Sequence, residues 1–371
     1  MTSRINDIPD HRHPNQDRGQ RLCVARCPIP TPPTDSRRSP GGAARTVADP
    51  APTSAGPPPG SLAAAGEFAV IDTVAGAMGQ PETTLLGPGD DAAVVAAPDG
   101  RVVASVDVLV DGVHFRTEWA GGEQIGRRAA LASMADIAAM GATPTALLVG
   151  IGAPPQAPAA LLADIGRGLD AEAVAAGAGV VGGDLTRSDV LTISVTVLGD
   201  LRGGKPVLRS GARAGDVVAV NGRLGWAAAG LAVLSRGFRS PAAAVGAYRV
   251  PDPPLTAGPP AAAAGATAMI DVSDGLLADL GHIAAASGVA INVRTTALPV
   301  NPRLVEVASA LGKNHLEWAL TGGDDHALAA TFPRGTDLPE GWTVIGAVGD
   351  GSGVSVDGTL WTAAGGWDHF G

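Results

Sequence analysis

The chain has 371 residues, 45% of them apolar, which is enough for two ordinary domains with hydrophobic cores. A formal net charge of −10 without any basic block argues against nucleic-acid binding, because phosphate contacts need clustered Lys and Arg. No apolar run reaches the roughly 18 residues of a membrane span and no apolar signal core follows the basic N-terminus, so no membrane partner and a cytoplasmic location are expected.

Residues 1 to 62 are rich in Pro, Arg, Ser and Gly. Such a segment buries too little apolar surface to offset its ordering entropy and is expected to be a disordered tail. Cys23 and Cys27 fall within it and imply no disulfide framework. A short amphipathic helix is expected from Gly66 to about Met78. Two runs of small and β-branched residues, 92–97 and 102–106, then flank the turn Pro98-Asp99-Gly100 and are expected to pair as a hairpin. Asp90 and Asp91 enter this hairpin and Asp107 leaves it.

Helical spacing runs from Gly122 to Met140, with Ile125, Ala129, Ala132, Ala135 and Ala139 on one face. Asp136 stands alone among small apolar residues. It is either on the solvated side of the helix or partly desolvated, and in the second case it needs a cation or strong donors. A strand at 146–151, a helix at 157–176, a strand at 179–181 ending in Gly182-Gly183-Asp184 and a strand at 191–198 complete a first domain, 63–203. The Gly-rich passage at Arg202 opens a second, 204–371. There a strand is expected at 216–220, a helix at 226–234, and a strand at 269–271 that runs into Val272-Ser273-Asp274-Gly275. Ser273 or Asp274 is expected to N-cap the helix that follows, 276–286. A strand at 289–293, a helix at 304–311, the turn Thr321-Gly322-Gly323-Asp324-Asp325 and two closing strands end the chain. Strands interleaved with helices in this order indicate an α+β class with mixed sheets covered by helices.

Asp91, Asp107, Asp136, Asp184, Asp271 and Asp274 form a set of acidic positions, most of them expected at strand ends beside Gly or Ser. Carboxylates converging on one cleft raise each other's pKa unless metal ions neutralise them. Mg²⁺ with substrate phosphates fits this chemistry, and phosphoryl transfer is the reaction class that uses it. The lysine-based phosphate loops are missing: there is no G-x₄-G-K-[ST] and no G-x-G-x-x-G opening a helix.

Nine segments carry a family resemblance: GEF at Gly66, GPGDDAAVV from Gly87, SVDVLVDGVHF from Ser105, LASMADIAAMGA from Leu131, GGDLTR from Gly182, LRSGARAGD from Leu208, IDVSDGLLADLGHI from Ile270, TGGDDHAL from Thr321 and GWDHF from Gly366. In that order they resemble the thiamine-monophosphate kinases, from about residue 65 to the C-terminus. GDD and the metal-bearing Asp positions are shared with the wider aminoimidazole-ribotide-synthetase-like superfamily. DGVHF, TGGDD and WDHF are the segments particular to the kinases.

The resemblance implies a two-domain architecture, ATP as co-substrate, several Mg²⁺ ions and thiamine monophosphate as phosphoryl acceptor. It implies a homodimer, with the first domain dimerising and holding metals and ATP and the second completing the site. Asp91, Ser105, Asp107, Asp136, Asp184, Asp271 and Asp274 correspond to Mg²⁺ positions, with Asp107, Asp136, Asp184 and Asp271 central to catalysis. Gly183, Asp184, Arg209 and Ser273 correspond to ATP contacts, and His114, Asp324 and Trp367 to substrate contacts. Two positions depart from the family pattern. Val106 replaces a hydroxyl residue, so a metal there meets a backbone carbonyl or water; Asp324 replaces a Glu one methylene longer. His282, His315, His326 and His369 are read as structural. Rival readings are another ATP-using member of the superfamily, of the selenophosphate or ribotide synthetase type, or a silent nucleotide- and metal-binding scaffold.

Overall fold

The computed structural model describes residues 57–88, 92–362 and 365–366, so the expectations for the tail up to residue 56, for Asp90 and Asp91, and for Trp367 lie outside it. The last residues of the expected tail already belong to the fold. Ser61 is buried, and its hydroxyl accepts the Ala64 N–H to cap α1 (Leu62–Ala65).

Helix α2 (Glu67–Ala75) is followed by β1 (Thr84–Leu86), which pairs antiparallel with β2 (Val94–Val95). The expected hairpin does not form. The turn at 98–100 closes, with the Gly100 N–H donating to the Ala97 carbonyl and φ +76° at Gly100, but the two strands then part. β3 (Val103–Val110) is committed along its whole length to another partner, β6 (Thr192–Asp200), and eight residue pairs outweigh the few that short β2 offers. With α3 (Gly122–Ala139), β4 (Thr143–Ala153), α4 (Ala159–Ala175) and β5 (Gly179–Arg187), these elements build a four-stranded sheet in the order β3-β6-β4-β5. Only β4 and β5 run parallel, joined through α4.

The remainder supplies β7 (Val217–Asn221), α5 (Trp226–Ser235), α6 (Ala242–Arg249), α7 (Gly258–Ala263), β8 (Ala268–Val272) and α8 (Leu276–Ser287). It continues with β9 (Ala290–Val293), α9 (Pro302–Ala310), α10 (His315–Thr321), β10 (Ala327–Phe332), β11 (Thr343–Gly349), β12 (Gly353–Val356) and β13 (Thr359–Leu360). Its seven-stranded sheet has the order β13-β12-β9-β11-β7-β10-β8, mixed because β12 lies parallel to β9. The class is α+β, as expected. Besides α1, three helices were not legible: α6 and α7 are rich in Ala, Gly and Pro, and α10 is a seven-residue helix capped by Asn314. Among the described residues no helix is long and apolar enough to cross a membrane.

Helix α3 sits between the two sheets. Ile125, Ala129, Met134 and Ile137 pack on the buried face of the four-stranded sheet with Leu147, Val149, Ile193 and Val195. Ala138 and Ala139 join the second sheet's cluster around Met269, Leu328 and Phe332. The other face of the four-stranded sheet is uncovered among the described residues, leaving Val106, Val108 and Leu148 exposed.

Small residues set the spacing around α3. A Cβ on Gly126 would lie 2.0 Å from the Ile165 carbonyl oxygen of α4, and one on Gly168 of α4 would lie 2.1 Å from that of Glu123. Backbone on both sides leaves nothing flexible to yield. Gly168→Ala is therefore expected to cost about 2 kcal/mol or more despite the better helix propensity of Ala, and thermal melts should show a Tm several degrees lower.

Candidate active site

Two turns of the second sheet interlock to make the floor of the site. Strand β8 is buried throughout and carries Asp271, after which the chain turns through Ser273, Asp274 and Gly275. The Ser273 carbonyl accepts the Asp324 N–H at 2.8 Å, and the Val272 carbonyl accepts the His326 N–H at 2.9 Å. Asp324 and His326 have φ of +66° and +52°, and a Cβ on Gly323 would meet the Ser273 carbonyl oxygen at 2.5 Å. Only a glycine at 323 lets the two turns approach so closely.

A cavity of about 670 Å³ opens above this floor, lined by residues from both parts of the chain. β3 contributes Asp107 and the segment after it His114, whose Nδ1 accepts the Val110 N–H at 3.0 Å. Helix α3 contributes Arg128 and Ala132, and α10 contributes Glu317, Trp318 and Thr321. Ser273, Asp274, Asp324 and His326 complete this part of the lining.

Beside the cavity a carboxylate cluster gathers. Asp136 accepts the Ser105 hydroxyl at 2.5 Å. Burial pushes the Asp136 carboxyl up to about 6, and the charges of Asp271 and Asp107 add to the rise against the Ser105 hydrogen bond and the His326 charge. Asp271 in turn faces His326, whose Nδ1 lies 3.1 Å from its Oδ2. Burial alone would lower the His326 pKa, but the hydrogen bond and charge of Asp271, with the charge of Asp324, raise it. His326 is thus part of the site, although its sequence context suggested only a structural histidine.

Arg128 is a second residue that the sequence did not single out. It is almost wholly buried, pairs with Asp324 at 2.7 Å, donates to the Tyr248 carbonyl and lies 5.2 Å from the Tyr248 ring centroid. Its signal was present: Arg128, Ala132 and Asp136 are spaced by four and share one face of α3.

Other acidic residues hold backbone. Neither Ser273 nor Asp274 caps α8. Asp279, inside the first turn, accepts the Asp274 and Gly275 N–H groups at 3.2 and 3.0 Å, and burial raises its carboxyl to about 7. Asp325 does the same at the start of α5, accepting from Gly225 and Ala227, and burial also lifts it to about 7. Ligand atoms of Asp274, Asp279 and His282 lie within 4.8 Å of one another, but Asp279 is engaged with those two N–H groups.

Asp107 and Asp184 lie inside strands rather than at strand ends. Val108, Ser194, Gly150 and Asp184 form one cross-strand row, which puts Asp184 on the uncovered face three strands, or about 14 Å, from β3. Asp107 belongs to the adjacent row with Val195, Val149 and Gly183, on the face covered by α3. The close approach at Gly183 is to the neighbouring strand, since a Cβ would lie 2.2 Å from the Val149 carbonyl oxygen. Val106, on the edge strand β3, is exposed towards the uncovered face and is also among the residues lining the cavity. Arg209 is exposed, next to Leu208, whose carbonyl accepts the Met269 N–H. A single chain therefore brings Ser105, Val106, Asp107, Asp136, Asp271, Ser273, Asp274, His114 and Asp324 around the cavity, while Gly183, Asp184 and Arg209 stand apart.

Comparison with known proteins bears on this arrangement. A family model described as AIR synthase related protein, N-terminal domain, matches residues 89–201. The thiamine-monophosphate kinase of Mycobacterium tuberculosis (strain ATCC 25618 / H37Rv) is 51% identical over 308 residues, 82% of this chain and 92% of the relative. The crystal structure of thiamine-monophosphate kinase from Stenotrophomonas maltophilia K279a is similar with a TM-score of 0.68 at 35% identity, covering 76% of this chain and 93% of that one. A structure of AaThiL complexed with AMPPCP and TMP gives 0.70 at 32% identity, covering 83% and 98%.

The burial of Asp136, with its acidic neighbours, has a measurable sign. A carboxyl raised from 3.8 to about 6 by folding favours the folded state most below pH 4 and costs stability as pH rises towards 6. Without added metal, Asp136→Asn should match the wild-type Tm near pH 4 and exceed it by a few degrees above pH 6, in melts across that range.

Proposed function

The chain belongs to the thiamine-monophosphate kinase family, and we propose that it transfers the terminal phosphoryl group of ATP to thiamine monophosphate, yielding thiamine diphosphate. The observation that carries this reading is the gathering of Asp107, Asp136 and Asp271 beside a cavity large enough for a two-ring substrate. A related protein, solved with AMPPCP and TMP, supports it.

The donors present suit Mg²⁺. Asp107, Asp136, Asp271, Asp274 and Ser105 offer only oxygen, the preference of a hard cation; Asp136 is raised first by its burial and then by the charges of Asp271 and Asp107, both of which a bound cation would offset. Several Mg²⁺ ions, when bound, would neutralise phosphate charge and let two polyanions approach. Asp91 belongs to the same proposed set. The acceptor phosphate oxygen is already anionic at neutral pH, so an in-line displacement needs no side-chain nucleophile. His114 and Trp367 are assigned to the substrate, with Asp324 acting as half of an ion pair. Gly183, Asp184, Arg209 and Ser273 are assigned to ATP. A cytoplasmic location is part of the same reading.

A homodimer completes the site in this reading. The uncovered sheet face exposes Val106, Val108 and Leu148 by 58%, 50% and 39%, and Asp184 lies on the same face, far from Asp107 of its own chain. A second copy laid on that face would hide the apolar residues and bring an Asp184 towards β3.

Two experiments test these assignments. Production of thiamine diphosphate from ATP and thiamine monophosphate should require Mg²⁺, and Asp107→Asn should lower kcat by about 100-fold or more with Tm retained. Wild-type protein inactive on this substrate pair would overturn the functional reading. Leu148→Arg, outside the cavity, should turn a dimer into a monomer by sedimentation and remove most of the activity; a fully active monomer would overturn the composite site.

A further inference from the structure

We propose that Glu317, rather than Asp324, supplies the negative charge that meets the cationic ring of the substrate; this rests on thiamine monophosphate being the acceptor.

Asp324 is already spent. Its carboxylate is 2.7 Å from an Arg128 that is only 3% exposed, donates to the Tyr248 carbonyl and packs on the Tyr248 ring. A buried guanidinium does not release its only carboxylate among the described residues without stranding its own charge, so the pair stays closed. The backbone cannot advance the carboxylate either. Asp324 is pinned with φ +66° by its N–H bond to the Ser273 carbonyl, and an Asp is one methylene shorter than a Glu at this position.

The charges left on the cavity wall then decide. Asp107 and Asp274 belong with the phosphate-binding carboxylates, which leaves Glu317 as the remaining acidic residue lining the cavity among the described residues. Glu317 is exposed, and its carboxylate makes no hydrogen bond or ion pair with the described residues; only its carbonyl is engaged, by the Thr321 hydroxyl. Residues 317, 318 and 321 of α10 line the cavity together; Trp318 is buried and packs with Trp226 and Leu304, while Glu317 is exposed. An exposed carboxylate on the cavity wall, with no partner among the described residues, is a counter-charge for a delocalised cation such as a thiazolium.

The test separates charge from shape. Glu317→Gln should raise the KM for thiamine monophosphate about three- to fivefold, the range for one partly exposed charge pair, and leave the KM for ATP in place. Competitive inhibition by a thiazolium phosphate and by its uncharged thiazole counterpart should show a wild-type preference for the cation that Glu317→Gln removes. Glu317→Lys should reverse that preference. A wild-type enzyme that phosphorylates thiamine monophosphate while Glu317→Gln keeps the full cation preference overturns this inference alone. Absence of that activity in the wild type overturns the reading on which it rests.

Discussion

The close seating of α3 is the constraint on which the rest of the structure depends. One side of the helix is fixed against the four-stranded sheet and α4, where Gly126 and Gly168 let the two helix backbones touch. Its C-terminal end is fixed under the second sheet, where a Cβ on Gly258 would fall 1.9 Å from the Ala138 carbonyl oxygen. Contacts of this kind are backbone to backbone and cannot be taken up by a change of rotamer. A helix held so firmly can carry a charged face between two sheets. The same face presents Arg128 to the ion pair with Asp324 and Asp136 to the carboxylate cluster.

The acidic residues divide into two kinds, and neighbours in sequence fall on opposite sides of the division. Asp324 lines the cavity, while Asp325 is buried against the first turn of α5. Asp274 lines the cavity, while Asp279 closes the start of α8 from inside the helix. Each buried carboxylate has its pKa raised by desolvation and is held by two backbone N–H donors. These caps keep the two interlocked turns in place, and the cavity-facing partners are positioned as a result. The acidic richness of these turns is therefore partly mechanical.

Much of this was legible in the sequence, because the helix and strand periods of 122–139, 159–175 and 192–200 are local properties. The gathering of Asp107, Asp136, Asp271 and Asp274 was anticipated in part, since an Asp among small apolar residues, as at position 136, signals a partly desolvated charge; Asp184 stands apart and Asp91 lies outside the described residues. Pairing was not. Pro98-Asp99-Gly100 makes its turn, yet the choice between β2 and β6 as partner of β3 depends on a strand ninety residues away. The same non-locality hid the row that places Asp184 on the far edge of the sheet. Arg128 and His326 escaped notice because their partners, Asp324 and Asp271, are long-range neighbours. Glu317 escaped because α10 is too short to show a period.

Arg128 and Asp136 are eight residues apart on one unbroken helix, which at about 1.5 Å per residue separates them by about 12 Å along its axis. In the proposed reading one end marks the ring side of the cavity and the other the phosphate side. The interval is set by helical rise and not by loop conformation, so under that assignment α3 would act as a gauge of ligand length. A molecule with the same two end groups but a spacer longer or shorter by a few ångströms would then engage one end or the other and not both.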